Sequence, residues 1–160
     1  MQMAALRNLL TGNGHAEVRT LLQSGNIVLE SRSKPAQLER ELEKQLAAGL
    51  GFTVDVFVRT RNELAKVIDR NPLASVATDP AKYLVTFLRE TPDAVVVRRL
   101  RSLDLEPEQL VVSGREIYSW HPEGLARSEI RKHLTDRGLG VSATGRNSST
   151  VTKLLELADA

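Results

Sequence analysis

Gly145-Arg146-Asn147-Ser148-Ser149-Thr150, followed by Lys153, groups the residue types that hold anions. A loop entering a helix offers free backbone N–H groups. Here three hydroxyls, an amide and a guanidinium accompany them. Arg146 can engage two oxygens of a phosphate or carboxylate at once, and Lys153, three residues beyond Thr150, falls on about the same helix face. Arg146, Asn147, Ser149, Thr150 and Lys153 are therefore the candidate anion-binding residues. Plain helix capping explains Ser, Thr and Asn at such positions without any ligand. Arg115 and Ser24, each beside a turn signal, join the set. Turn chemistry also accounts for Gln23-Ser24-Gly25-Asn26.

Other chemistries find less support. The chain has no cysteine, which removes disulfides, thiolate catalysis and Cys-ligated metals, and fits a reducing cytoplasm. His15, His121 and His133 are scattered without metal-ligand spacing. His121, before Pro122, reads as a strand end. Ser24 lies in no nucleophile elbow, and no base–nucleophile pair stands out, so the reading leans away from an enzyme and expects no cofactor. Arg98, Arg99 and Arg101, and Arg127, Arg131, Lys132 and Arg137, are diluted by Asp104, Glu129 and Asp136 and read as solvated faces. Tyr118 and Trp120, two apart on a strand, share a sheet face. Aromatic residues total 4%, too few for a base-stacking platform, and no aromatic RNA-binding signature is present. Net charge is +2, which is weak evidence for a polyanion partner. No apolar run approaches the roughly 20 residues a membrane helix needs.

The elements that must position these residues follow from periodicity. Met3–Leu10 reads as a helix ending at Thr11-Gly12-Asn13-Gly14. Val18–Leu22 and Asn26–Glu30 form a hairpin. A helix opens at Pro35, with Leu38, Leu42 and Leu46 inward, Glu39, Arg40, Glu43 and Lys44 on the wet side, and a stop at Gly49 and Gly51. Phe52–Val58 alternates like a half-buried strand, and Arg61–Arg70 is a short amphipathic helix. In the second half Tyr83–Leu88 is a strand, and Thr91-Pro92-Asp93 signals a helix start with Thr91 as cap. Gln109–Val112 and Glu116–Trp120 pair around Ser113-Gly114. Arg127–Arg137 is a helix, Gly140–Thr144 a short strand, and Ser148 or Ser149 caps a last helix.

The halves repeat at an offset of about 89 residues, which lays Ser24-Gly25 onto Ser113-Gly114 and Leu50-Gly51 onto Leu139-Gly140. The second half has the order of the split β-α-β ferredoxin-like motif. The first has the same order without an opening strand, so the natural chain is expected to begin upstream of Met1. The expected organisation is an α+β fold with a first ferredoxin-like half at 1–72, a linker at 73–80 and a second half with an added helix at 81–160.

Three stretches carry a resemblance: Leu22-Gln23-Ser24-Gly25-Asn26-Ile27-Val28; Gly114-Arg115-Glu116-Ile117-Tyr118 with Pro122-Glu123-Gly124 and Ser128; and Arg146-Asn147-Ser148-Ser149-Thr150-Val151-Thr152-Lys153-Leu154. Together, and over essentially the whole chain, they resemble the bacterial domain-of-unknown-function family DUF1697. The resemblance implies an α+β fold of two ferredoxin-like halves and no established activity. The chain departs from the family pattern in three places. It lacks the opening strand and Gly-Ile-Asn-Val-Gly-Gly loop, it has Ser148 where a Trp is usual, and it has Glu129 where a Lys usually follows the serine matching Ser128.

The expected function is a cytoplasmic binding domain for an anion: a nucleotide, a nucleic-acid backbone or an acidic metabolite. Two other classes stay open, a protein-interaction module and an enzyme acting on a phosphorylated or acylated small molecule.

Overall fold

In the computed structural model, residues 2–21 and 25–160 are described. They form a mixed α+β protein with six α-helices and two sheets, one two-stranded and one four-stranded. The chain divides into two compact units, Met1–Leu64 with Lys153–Ala160, and Ala65–Thr152.

The first unit holds α1 (Met3–Gly12), β1 (Ala16–Leu21), β2 (Asn26–Glu30), α2 (Pro35–Leu50) and the start of α3 (Arg61–Arg70). The strands pair antiparallel, with Arg19 opposite Val28 and a bulge between Ala16 and Arg19. The leucine spacing of both helices does what period 3.6 requires. Met3, Leu6 and Leu10 meet Leu38, Leu42 and Leu46 in one core, with Val18, Ile27 and Leu29 packed against it. Gly49 permits close approach of the helices: a Cβ there would lie 2.5 Å from a Leu9 methyl. Gly51, at φ 79°, closes α2 in the left-handed conformation. Thr60 and Glu63 form a reciprocal capping box at the start of α3, 3.0 and 3.1 Å.

Two expectations fail in this unit. Phe52–Val58 forms no strand. Val56 and Val58 do pack on the core, but the Val58 N–H donates to Glu39 Oε2 at 2.9 Å instead of to a ladder. Alternation decides which side chains turn inward; a strand also needs a partner backbone, and the segment pairs with none among the described residues. For the same reason Glu39 is not on the wet side but 5% exposed, because its carboxylate holds that segment.

The second unit holds β3 (Tyr83–Leu88), α4 (Ala94–Arg101), β4 (Gln109–Ser113), β5 (Glu116–Trp120), α5 (Asp136–Leu139), β6 (Ala143–Asn147) and the first turn of α6 (Ser148–Asp159). The sheet order is β4-β5-β3-β6, every pair antiparallel. All six residues of β3 are buried, as a central strand covered on both faces requires. Register puts Leu84, Thr86 and Leu88 on the face of Ser119, Ile117 and Gly145. On that face Leu88, Val112 and Ile117 pack with Leu100 of α4 and Leu139 of α5.

Four local expectations are corrected. Asp93, not Thr91, caps α4, accepting from the Val95 N–H at 2.9 Å. Arg127–Arg137 is not one helix but the 3-10 turns Leu125–Arg127 and Ile130–His133 followed by α5. Side-chain oxygens take its N–H groups: Ser128 Oγ accepts from Arg131 at 2.9 Å, and Glu108 Oε1 from Glu129 and Ile130 at 2.8 and 3.1 Å. The last strand runs to Asn147, so Gly145, Arg146 and Asn147 lie in β6 rather than in a loop. Asn147 Oδ1, not Ser148 or Ser149, accepts from the first turn of α6, from the Thr150 N–H at 2.9 Å. Leu73, in the stretch between Asn71 and Pro80, is buried and donates its N–H to Tyr83 Oη at 3.3 Å.

Candidate functional site

β6 and the helix it feeds place most of the residues singled out for anion binding. Arg146 is half-buried and donates from Nη1 to Thr144 Oγ1 and to the Gly145 carbonyl, both at 2.8 Å. Its withdrawal from water lowers its pKa from the ordinary arginine value, though a guanidinium stays charged. Asn147 caps, Ser149 is half-buried and Thr150 is buried. Lys153 is exposed and belongs to the other unit. Arg115 is half-buried in the β4–β5 turn, where its carbonyl accepts from the Leu88 N–H at 2.8 Å. Ser24 lies outside the described residues.

On the face of Leu84, Thr86 and Gly145, opposite the Arg146 side chain, the second unit opens a cavity of about 220 Å³. Leu84 and Thr86 of β3 form one side, Thr144 and Gly145 of β6 another, and Leu125, Arg131 and Leu134 close it over the broken helical stretch. Two local facts create the space. Gly145 stands directly opposite Thr86 and contributes no side chain. The 125–139 stretch turns as short 3-10 segments instead of laying one continuous helix on the sheet. Thr86 is 2% exposed, and its hydroxyl has no hydrogen-bond partner among the described residues. Arg131 is exposed, and its guanidinium forms no hydrogen bond or ion pair with the described residues.

Behind the cavity lies a buried polar network that sequence reading missed. His121 follows β5, its N–H extending the ladder to the Lys82 carbonyl at 3.0 Å, and the residue is fully buried. Its Nε2 lies 2.6 Å from Ser119 Oγ, and its Nδ1 lies 2.9 Å from Glu108 Oε2 and 2.7 Å from Ser128 Oγ. A carboxylate only accepts, so Nδ1 carries the proton and the Ser119 hydroxyl donates to Nε2. Burial holds the His121 pKa below its ordinary 6.5, against the opposing pull of Glu108. Burial would raise Glu108, but hydrogen bonds from Ser128, Ile130, His121 and Glu129 outweigh it and leave its pKa below the ordinary value. Spacing within one strand, Ser119 to His121, was legible. Glu108 and Ser128 reach the histidine only through the fold.

On the other sheet face Trp120 is half-buried, and the two rings beside it are core. Tyr118 is 1% exposed and donates its hydroxyl to the Val67 carbonyl at 2.7 Å. Burial pushes its pKa up to about 12. Tyr83 packs beside it at a ring separation of 6.3 Å. These rings are core, unavailable for base stacking. Among the described residues no cluster of His, Asp and Glu is placed to hold a metal ion, and no helix is long and apolar enough to cross a membrane.

Residues 1–118 match a family model described as a protein of unknown function, DUF1697. The fold is similar to that of the conserved bacterial protein SP0830 from Streptococcus pneumoniae, with a TM-score of 0.74 and 26% identity over 100% of this chain and 90% of that one. No curated protein matches the chain.

Proposed function

The chain belongs to the DUF1697 family, and on that premise we propose that it is a cytoplasmic, non-catalytic binding domain for an anionic ligand held against β6 of the second unit. The observation that carries this reading is Arg131. Its guanidinium stands at the cavity without a carboxylate partner among the described residues, with Leu84, Leu125 and Leu134 beside it. A cation beside apolar walls attracts an anion more strongly than one in open water. Arg146, paired with Val85, projects from the opposite sheet face and is not among the residues that line the cavity.

The test is thermal unfolding with sodium phosphate, AMP, short RNA and small carboxylates at low and high salt. A saturable rise in melting temperature that Arg131→Ala abolishes without lowering basal stability supports the reading. Shifts that survive Arg131→Ala, or no shift with any anion, count against it.

A second reading, an enzyme acting on an acylated small molecule, draws on the Ser119–His121–Glu108 geometry, in which the imidazole joins a hydroxyl to a carboxylate. Both Ser119 and His121 are fully buried, which favours a structural role. Labelling of Ser119 by a fluorophosphonate, traced by peptide mass, would establish the enzyme class; an unlabelled Ser119 in folded protein removes it.

The architecture also supports reading the halves as a repeat. A shift of about 89 residues carries α1 onto α4, β2 onto β5 and α2 onto the 125–139 stretch. The order β4-β5-β3-β6 supports a ferredoxin-like second half.

A further inference from the structure

We infer that the cavity takes a small carboxylic acid with a short apolar body and one neutral polar atom, an oxo acid being the simplest member. This deepens the anion reading and rests on it. Three observations set the class. The volume, about 220 Å³, falls below the ~300–1,000 Å³ of pockets that hold drug-sized ligands; it suits a molecule of several carbons. Leu84, Leu125, Leu134 and Ala143 give the mixed lining an apolar side, against which a short apolar body can pack. The polar groups differ in depth. Arg131 is exposed and meets the charged end, whereas Thr86 is almost wholly buried with a hydroxyl that has no partner among the described residues.

A buried hydroxyl without a partner is costly. Thr86 lies opposite the one position of β6 that has no side chain to satisfy or cover it. A purely structural core would place an apolar residue at such a point. A ligand carbonyl would accept from the Thr86 hydroxyl while its carboxylate pairs with Arg131. The hydroxyl then discriminates between an oxo acid and its plain alkyl counterpart, since a site built to hydrogen-bond an oxygen disfavours a ligand without one.

The experiment measures binding of 4-oxopentanoate, 5-oxohexanoate, pentanoate, hexanoate, sodium phosphate and AMP to the full chain by calorimetry and by Trp120-detected melting. The expected result is tighter binding of an oxo acid than of its alkyl counterpart by about tenfold, one hydrogen bond's worth. Thr86→Val removes that preference, and Arg131→Ala weakens every carboxylate. Gly145→Val fills the space: a Cβ there meets only the flexible end of Leu84, at 3.2 Å, so the fold persists while binding is lost. The inference is overturned if Thr86→Val keeps the oxo preference, or if Gly145→Val melts cooperatively and still binds the acids. Phosphate or AMP binding without the carboxylates overturns it and leaves the anion reading standing. No shift with any of the six probes overturns both.

Discussion

Replacing Glu108 by Ala tests how the site is held. The Glu108 carboxylate accepts from the backbone N–H groups of Glu129 and Ile130 at 2.8 and 3.1 Å and from His121 Nδ1 at 2.9 Å. The Ser128 hydroxyl donates to it as well, and the loss is unequal at the other three donors. The Glu129 N–H is exposed and turns to water. His121, wholly buried, keeps Ser128 Oγ at 2.7 Å but loses a bond to a charged acceptor, about 1.5–3 kcal/mol. The part-buried Ile130 N–H adds about 1 kcal/mol. The expected cost is therefore ~2–4 kcal/mol. For a chain of 160 residues that is a fall in melting temperature of about 4–16 °C. Trp120, the single tryptophan, lies in β5 of the second unit, so urea unfolding followed by its fluorescence reads the unit concerned. Acidity supplies a second readout. Both His121 and Glu108 have depressed pKa values in the fold. The unfolded chain thus binds the extra protons, and stability falls as pH drops, first below the ordinary histidine value of 6.5 and then below the ordinary glutamate value of 4.5. Glu108→Ala removes the glutamate part of that loss. It also removes the group that favours protonated His121, so the histidine part persists to lower pH. A variant within about 0.5 kcal/mol of the parent, with the parent's acid profile, would refute the network as the brace of the 125–139 stretch.

Three further outcomes follow from single contacts. Tyr118→Phe leaves the Val67 carbonyl without its donor in a buried site and is expected to cost about 1–3 kcal/mol by urea unfolding; no change would show that the carbonyl finds another donor. Asn147→Ala removes the cap on the Thr150 N–H and is expected to cost about 1 kcal/mol, while Asn147→Asp, measured alongside it, restores most of the loss. Glu39→Ala frees the Val58 N–H, and amide exchange there is expected to rise by about tenfold or more, the equivalent of one hydrogen bond; unchanged protection at Val58 would mean that packing alone holds the segment.

How much of this was legible depends on the kind of signal. Helices with a regular apolar stripe were readable, as Leu38, Leu42 and Leu46 and the span Arg61–Arg70 show. The strands Asn26–Glu30, Tyr83–Leu88 and Glu116–Trp120 were readable from local pattern and turn residues. The segment at 52–58 carried the same alternation, yet the Val58 N–H bonds to the Glu39 carboxylate. Pattern records burial, and burial does not distinguish a strand from an extended segment held by a side chain.

The candidate site shows the same division. Residues near one another in sequence, Arg146, Asn147, Ser149 and Thr150, were identifiable by type, but whether they sit in a loop or at the end of a strand depended on how far β3 pairs with β6. The meeting of Thr86 with Gly145, of His121 with Glu108, and of Arg131 with Leu84 joins residues remote in the chain. Periodicity along the sequence therefore determined most helices and strands and their apolar faces, but not the segments at 52–58 and 127–137. Register between strands, and the competition of side-chain oxygens for backbone donors, decided where a cavity would open and which polar groups would face it, because those contacts form only when distant segments are brought together.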